Sequence, residues 1–356
     1  MLNTVYIHIG SPKTGTSALQ LFWEKNRAQL KSQKIIFPPT KFENTHHYLA
    51  FALHKQAGKK EPFFPSDLKS IKDEYDDLNI SDKKYSYIIS SEGLFNIKKE
   101  SIATLKNLIP IDFNIKIIVY LRRQDQFIES HCIQDIKNCV TEKIDKSRYI
   151  LFYSKIIKPW EEVFGKENII VKPYERSRFV QGDICIDFQN TILNRNTDNY
   201  VYINEDINQS LSTQDLSFQI YINSLPISYN KKSRIAHFLT NSTNRSSVSE
   251  SNGKNIHKVH LISLEERKKI IKIYEEDNLL VANRYLPDEY NLFIEPPEKP
   301  KISKVWNYNL ENIDRPIVDI KNALPEIYAD IVEQARLITT HDFFINSINQ
   351  QVLKHI

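Results

Sequence analysis

A short run near the start of the chain combines two glycines, a lysine and several hydroxyl side chains. It reads Gly10, Ser11, Pro12, Lys13, Thr14, Gly15, Thr16, Ser17. Glycine tolerates positive φ, so backbone N–H groups can close around an anion, and a following helix would point its positive end at the same anion. Lys13 adds a full charge, while Thr16 and Ser17 add hydroxyl donors. The run predicts a loop that binds a phosphate or sulfate group.

The order of residues in this loop differs from that of an ATP-binding P-loop. In the pattern GxxxxGK[ST] the lysine directly follows the second glycine, whereas here Thr16 occupies that position and the lysine is residue 13. A lysine inside the loop can reach the bond between a terminal group and the 5′-phosphate, and can stabilise a departing phosphate oxygen. The part of the motif that binds Mg²⁺ is incomplete. The order therefore disfavours a kinase and predicts no metal.

A second anion site is predicted where a later strand ends. The apolar run Ile115–Leu121 is followed by Arg122 and Arg123, and Ser130 lies two turns into the next helix. From there Ser130 can face back towards Arg122. A guanidinium and a hydroxyl together form a suitable receptor for a phosphate monoester.

These residues need a scaffold, and the chain alternates short apolar runs with longer amphipathic segments. Such alternation predicts an α/β fold with a doubly wound, mainly parallel sheet, whose ligands bind at the carboxyl ends of the strands. The expected strands are Val5–Ile9, Ile35–Phe37, Tyr87–Ser90, Ile115–Leu121 and Ile169–Val171. The expected helices are Ser17–Ser32, Lys99–Ile109, Gln124–Asn138, Arg148–Phe164, Leu211–Asn223, Lys232–Leu239 and Ser263–Arg284.

The two anion motifs together resemble those of sulfotransferases that use 3′-phosphoadenosine-5′-phosphosulfate (PAPS). In that family a Pro-Lys-Thr/Ser-Gly-Thr-Thr/Ser loop holds the 5′-phosphosulfate, and an arginine with a serine eight residues later holds the 3′-phosphate. Arg122 and Ser130 have this spacing. Arg123 and Gln124 replace the Asp-Pro of animal enzymes, so the motif is similar to that of the bacterial branch that modifies surface carbohydrate. The segment Pro159–Glu175 is also similar to the family.

The resemblance implies a general base for the acceptor hydroxyl, since the attacking oxygen must lose its proton. Two segments supply candidates: His46 and His47 follow the second strand, and Glu92 ends the third. Imidazole is poised near neutral pH, whereas a carboxylate needs desolvation to act there. The sequence leaves the three residues open, with a slight preference for His47.

Composition restricts the compartment and the partners. Among 356 residues the net charge is +4, too mild to indicate a nucleic-acid partner. No apolar stretch is long enough for a membrane span, and the first strand begins too early for a secretory leader. Three cysteines are too few for a disulfide framework. We expect a cytoplasmic protein.

The second half of the chain is less regular. Strand patterns fade after about residue 195, a polar stretch at Thr240–Asn255 predicts a loop, and three prolines interrupt Glu295–Lys301. The pattern predicts a sulfotransferase domain over residues 1–290 and a C-terminal helical extension over residues 291–356.

The expected function is transfer of a sulfuryl group from PAPS to a hydroxyl of a carbohydrate-type acceptor, such as a surface polysaccharide or glycolipid. Two alternatives remain. One is a P-loop-type small-molecule kinase, disfavoured by the position of Lys13. The other is an inactive nucleotide-binding protein of the same fold. The sequence predicts neither the acceptor nor the oligomeric state.

Overall fold

The fold is taken from a computed structural model of the chain. The structure describes residues 3–41, 44–59, 64–141, 143–193, 200–201, 211–248, 260–286, 288–299, 313–337 and 342–355. Within these ranges no helix is both long and apolar enough to cross a lipid bilayer.

The described residues form one sheet of five parallel strands, in the order β2-β3-β1-β4-β5. The strands are β1 Thr4–His8, β2 Ile35–Ile36, β3 Ser86–Ser90, β4 Asn114–Leu121 and β5 Ile169–Pro173. Each predicted strand is present within one or two residues of its expected bounds. Continuous apolar runs predict such strands well because both faces of a parallel sheet are buried.

Alternate residues of the sheet enter two separate hydrophobic cores. On one face Ile7, Ile89 and Val119 belong to a core that includes Leu53 and Trp160 from helices. On the other face Tyr6, Ile88 and Tyr120 pack in a core with Phe22, Trp23 and Phe188. Helices therefore cover both faces, and the predicted doubly wound α/β class is confirmed.

The described helices are numbered in chain order. They are α1 Thr16–Lys25, α2 Arg27–Ser32, α3 His47–Gln56, α4 Ile71–Asp76, α5 Lys99–Leu108, α6 Gln124–Lys137, α7 Tyr153–Phe164, α8 Ile184–Leu193, α9 Thr213–Ser224, α10 Tyr229–Val248, α11 Leu264–Ile273, α12 Glu275–Tyr285, α13 Asp314–Ala323, α14 Pro325–Leu337 and α15 Phe343–Lys354.

The chain divides into two compact units, each assembled from separate segments. Unit 1 comprises residues 1–124, 151–207 and 272–296, and it contains the whole sheet. Unit 2 comprises residues 125–150, 208–271 and 297–356, and its described elements are helices. The predicted domain boundary near residue 290 remains a prediction. It divides the chain into two consecutive parts, whereas each compact unit is assembled from separate segments.

Some helix boundaries differ from the expected ones. The predicted helix Ser17–Ser32 is two helices, because Asn26 leaves helical geometry and its side-chain amide donates to the Phe22 carbonyl at 2.8 Å. The expected loop at Thr240–Asn255 is helical as far as Val248, and residues 249–255 lie outside the described ranges.

Unit 2 holds a buried cluster of charges. Arg267 is 0% exposed and pairs with Asp125 at 3.0 Å and with Glu129 at 2.6 Å. Burial alone would raise the pKa of Glu129, but its hydrogen bond with His260 and the Arg267 charge outweigh burial and lower it to about 2. Removing one member of such a buried, hydrogen-bonded ion pair destabilises a fold strongly, because the other charge stays buried without its partner.

Candidate functional site

The predicted anion loop connects the end of β1 to the start of α1 and is tied to the neighbouring strand β4. The Ser11 amide donates to the Tyr120 carbonyl at 2.7 Å, and the Tyr120 amide donates to the Gly10 carbonyl at 2.7 Å. Gly10 has φ +101°, a conformation that favours glycine. These bonds fix the loop at the carboxyl end of the sheet, where the fold predicts a ligand.

Inside the loop, hydroxyl groups bond to the backbone. Thr14 is buried, and its hydroxyl donates to the Ser11 carbonyl at 2.5 Å, while Thr16 donates to the same carbonyl at 3.5 Å. The buried Ser11 hydroxyl has no partner among the described residues. Pro12 is half-buried in this turn, and Ser17 is exposed on the first turn of the helix. The loop is therefore held by its own side chains.

The helix that follows the loop has an open positive end. Gly15 precedes α1 with φ +72°, no side chain caps the helix, and its first turn carries no acidic residue. Lys13 is half-buried and also has positive φ, at +66°. A helix start of this kind attracts anions because its first N–H groups lack intrahelical acceptors. The arrangement suits a phosphate or sulfate beside Lys13.

Glu92 lies directly against this loop. β1 and β3 are neighbours in register, with His8 opposite Ser90, so Gly10 and Glu92 each lie two residues beyond paired positions. A methyl group added at Gly10 would approach the Glu92 Cβ to 3.2 Å. The side chain is 30% exposed, yet its Oε2 is buried without a hydrogen-bond partner among the described residues. The residue that packs against the anion loop therefore carries a carboxylate oxygen without a hydrogen bond from the described residues.

His47, the first residue of α3, contacts the same turn. Its Nδ1 lies 2.6 Å from the Ser91 hydroxyl, and its Nε2 lies 3.8 Å from Glu92 Oε1. The Ser91 oxygen also accepts the Gly93 amide at 3.2 Å. Gly93 lies so close to α3 that an added methyl group would be 3.0 Å from Ala50. Close packing of helix and turn thereby brings the imidazole and the carboxylate together.

His46 has a different environment from its neighbour. It is 3% exposed, and its Nδ1 accepts the Ser90 amide at 2.9 Å while its own amide donates to the Ser90 carbonyl at 2.9 Å. Burial lowers the pKa of His46 to about 3. The ring is neutral at ordinary pH and packs edge-on to Phe37. These contacts favour a structural role for His46.

Ser90 joins the elements that carry the candidate residues, through partners that lie far from it in the sequence. Its hydroxyl lies 2.9 Å from Nδ1 of His8 and accepts the Gln20 amide at 3.0 Å. Burial lowers the pKa of His8 to about 3. The buried Ser90 therefore links four elements, which are β1, β3, α1 and, through His46, α3. The only sequence signal for this link is polar residues at buried strand and helix positions.

Arg122 lies at the end of β4, beside the loop. Its Nη1 donates to the Lys13 carbonyl at 2.9 Å, and its guanidinium carbon lies 5.8 Å from the centre of the Tyr174 ring. Tyr153 donates to the Arg122 carbonyl. Tyr174 also borders Gly15, since an added methyl group there would meet its ring at 3.4 Å. Three neighbouring strand ends thus supply Lys13, Glu92 and Arg122.

Arg123 has a structural environment. It is 4% exposed and donates to the Glu295 carbonyl at 2.6 Å. Glu175 accepts the amides of Ile294 and Glu295, both at 2.9 Å. The two adjacent arginines therefore have different environments. Arg123 binds the segment of unit 1 that contains Glu295, whereas Arg122 contacts the anion loop.

Ser130 lies on α6 within unit 2, whereas Arg122 belongs to unit 1. Their shared role in holding a 3′-phosphate remains a prediction from their spacing.

One group of residues in unit 2 has the composition of a metal site. Possible ligand atoms of Glu129, His260 and Glu298 lie within 4.8 Å of one another. Both Glu129 oxygens, however, lie 2.6 Å from the Arg267 guanidinium, and one also accepts the Leu261 amide at 2.8 Å. This carboxylate is already neutralised and hydrogen-bonded, so the cluster is better explained as an ion-pair network.

No protein-family profile matches the chain. It is 38% identical over 104 residues to an uncharacterized protein of Archaeoglobus fulgidus, a match covering 28% of each chain. The chain thus spans well under two thirds of that relative. A crystal structure of a sulfotransferase from Alicyclobacillus acidocaldarius matches 62% of this chain and 90% of its own, with 18% identity and a TM-score of 0.37. Similarity this low carries no argument about activity.

Proposed function

We propose that unit 1 is a sulfotransferase that moves a sulfuryl group from PAPS to a hydroxyl of a carbohydrate-type acceptor. One observation supports the proposal: the loop bearing Lys13 packs against Glu92 at the ends of adjacent strands, where a methyl group added at Gly10 would lie 3.2 Å from the Glu92 Cβ. Group transfer needs a cation at the leaving group and a base at the nucleophile. This site has both.

The donor assignment rests on Lys13 and Arg122. The phosphosulfate would lie over the loop and the open end of α1, with Lys13 beside the bridging oxygen. Arg122, which contacts the loop through the Lys13 carbonyl, would help bind the 3′-phosphate. The proposed chemistry places no metal in the site.

The geometry favours Glu92 as the base and His47 as its positioning residue. If the Ser91 hydroxyl donates to Nδ1 of His47, the Nε2 of the neutral ring carries the proton and faces Glu92. If Nδ1 donates instead, an unprotonated Nε2 would face a carboxylate, which is unfavourable unless that nitrogen is protonated too. In the first case the lone pair available to the acceptor belongs to Glu92, and the second case becomes equivalent once Nε2 is protonated.

The proposed step is an in-line displacement at sulfur. The acceptor oxygen forms a bond to sulfur while the bond from sulfur to the 5′-phosphate oxygen breaks. The acceptor proton passes to Glu92, and Lys13 stabilises the negative charge that develops on the departing phosphate. The products are a sulfate ester and adenosine 3′,5′-bisphosphate (PAP). The three free cysteines fit the reducing cytoplasm we propose as its compartment.

Arg122→Ala tests the donor assignment. Wild-type protein should bind PAP more tightly than 5′-AMP by roughly 2–4 kcal/mol, because charge-assisted bonds to the 3′-phosphate are strong. The variant should lose most of this preference, as measured by calorimetric titration of each nucleotide. Arg176→Ala removes an exposed arginine beyond β5 and is the control. Equal affinity of the wild type for PAP and 5′-AMP would refute the predicted 3′-phosphate site.

A further inference from the structure

Helix α3 extends away from the candidate base. Its exposed side is long enough to contact more than one sugar. His47, Phe51 and Lys55 are spaced four residues apart and so follow one side of the helix. Eight residues of helix span about 12 Å. Because His47 lies beside Glu92, this line of residues begins at the reacting position and ends at the last turn of α3.

Aromatic rings follow the base along this line. The Phe51 ring centre lies 5.7 Å from that of His47 and 5.9 Å from that of Phe64. Both phenylalanines are half-buried, so each retains an exposed ring surface. Nearby, the Tyr48 hydroxyl donates to Asp67 at 2.9 Å. An apolar ring surface edged by hydroxyl and carboxylate groups suits a pyranose ring, which has apolar C–H faces and a rim of hydroxyls.

A cleft of about 560 Å³ lies at the far end of the helix. Its lining mixes apolar side chains, including Ala52, Leu68 and Ile71, with hydrogen-bonding ones, including Lys55, Gln56 and Thr104. This volume is within the usual range for a ligand site. No part of the proposed transfer step uses the cleft.

The charges around the cleft limit what it can bind. Lys69 is 3.2 Å from a carboxylate oxygen of Asp77, and Lys72 pairs with Asp76. Two of its three lysines therefore already have acidic partners, and the cleft does not need a polyanion to balance its charge. The side chains that line it offer hydrogen bonds and apolar contact, the combination that a neutral, hydroxyl-rich chain can satisfy.

We propose that the acceptor is an extended, neutral glycan that binds along α3. Its reacting sugar lies on Phe51 beside Glu92, and further sugars reach the cleft at Gln56 and Lys55. This inference rests on the proposed function and adds a substrate class to it. Phe51 and the cleft residues are thus specificity residues, distinct from the groups that act on the donor.

The test compares acceptor lengths with radiolabelled PAPS. Mono- to hexasaccharides from partial hydrolysis of neutral glucan, galactan and mannan serve as acceptors. With wild-type protein, kcat/KM for at least one hexasaccharide should exceed that for its monosaccharide by about tenfold or more, equivalent to roughly 1.4 kcal/mol of added binding. Gln56→Trp, which fills the cleft, should reduce this ratio to about twofold. Lys59→Trp, an exposed substitution outside the cleft lining, should keep it.

Each remaining outcome separates the two proposals. If the length ratio is absent in the wild type, or survives Gln56→Trp, the extended acceptor is refuted. If PAP binds and no glycan of the panel accepts a sulfuryl group, the neutral-glycan class is refuted while the donor assignment stands. Failure to bind PAP would instead refute the proposed function itself.

Discussion

Glu92→Gln is expected to lower turnover by about 10²- to 10⁴-fold, the usual effect of removing a general base. Glutamine keeps the shape of the side chain but cannot take a proton from the acceptor. Affinity for PAP should stay nearly unchanged, because the proposed donor contacts come from the loop and from Arg122. Single-turnover rates with labelled PAPS and calorimetric titration of PAP measure the two quantities separately.

A matched substitution at His47 separates the base from its positioning partner. His47→Asn should lower turnover less than Glu92→Gln and should shift the pH–rate profile, because the group beside the carboxylate changes. His46→Asn keeps an acceptor for the Ser90 amide and serves as the structural control. If Glu92→Gln retained normal turnover while His47→Asn lost it, the proton would pass to His47 and the assignment would be reversed.

Lys13→Ala is expected to cut turnover by about 10²-fold or more, with a smaller loss of nucleotide affinity. The ammonium charge is most valuable when negative charge develops on the leaving phosphate, so it stabilises the transition state more than the bound donor. The fold should persist, since the lysine is a half-buried loop residue. Turnover, PAP affinity and circular dichroism together check this expectation.

Lys25→Ala is the control for charge alone. Lys25 is an exposed lysine in the last turn of α1, the helix that follows the anion loop. Its removal should change neither turnover nor PAP affinity by more than about twofold, as is usual for surface substitutions. Normal turnover in Lys13→Ala would exclude the proposed role at the leaving group.

The sheet could be predicted from the sequence because each strand is a continuous apolar run bounded by polar residues. Such a run is needed when both faces are covered, and the alternation of strands with helices then indicates parallel order. The strand order and the register could not be read in this way. They depend on contacts between distant segments, such as Val5 opposite Tyr87 and opposite Ile115.

Helix ends and the division into units were harder to predict. Asn26 ends α1 through a side-chain bond to a backbone carbonyl, a local competition that periodicity does not report. Polar composition predicts a loop at the end of α10, whereas the structure continues the helix as far as Val248. Asp125 and Glu129 closely follow Arg122 in the sequence but belong to unit 2, where both pair with the buried Arg267.

At the candidate site, the sequence identified the loop and the strand ends but could not rank the base candidates. His46 and His47 are adjacent, yet their contacts differ. His46 is hydrogen-bonded to both backbone groups of Ser90, whereas His47 contacts Ser91 and Glu92. The start of α3 separates the two, since His46 precedes the helix and His47 is its first residue. The contacts of Ser90 with His8 and Gln20 could not be predicted from the sequence either, because they join residues up to 82 positions apart.

Calorimetric titration of the wild-type protein with PAP, compared with ATP and Mg²⁺, tests the central claim most directly. The account predicts saturable binding of PAP that needs no metal and is stronger than that of ATP–Mg²⁺ by at least about tenfold, because the 3′-phosphate adds charge-assisted bonds. Tighter binding of ATP–Mg²⁺, or no binding of PAP, would contradict the assignment of this loop to a sulfuryl donor.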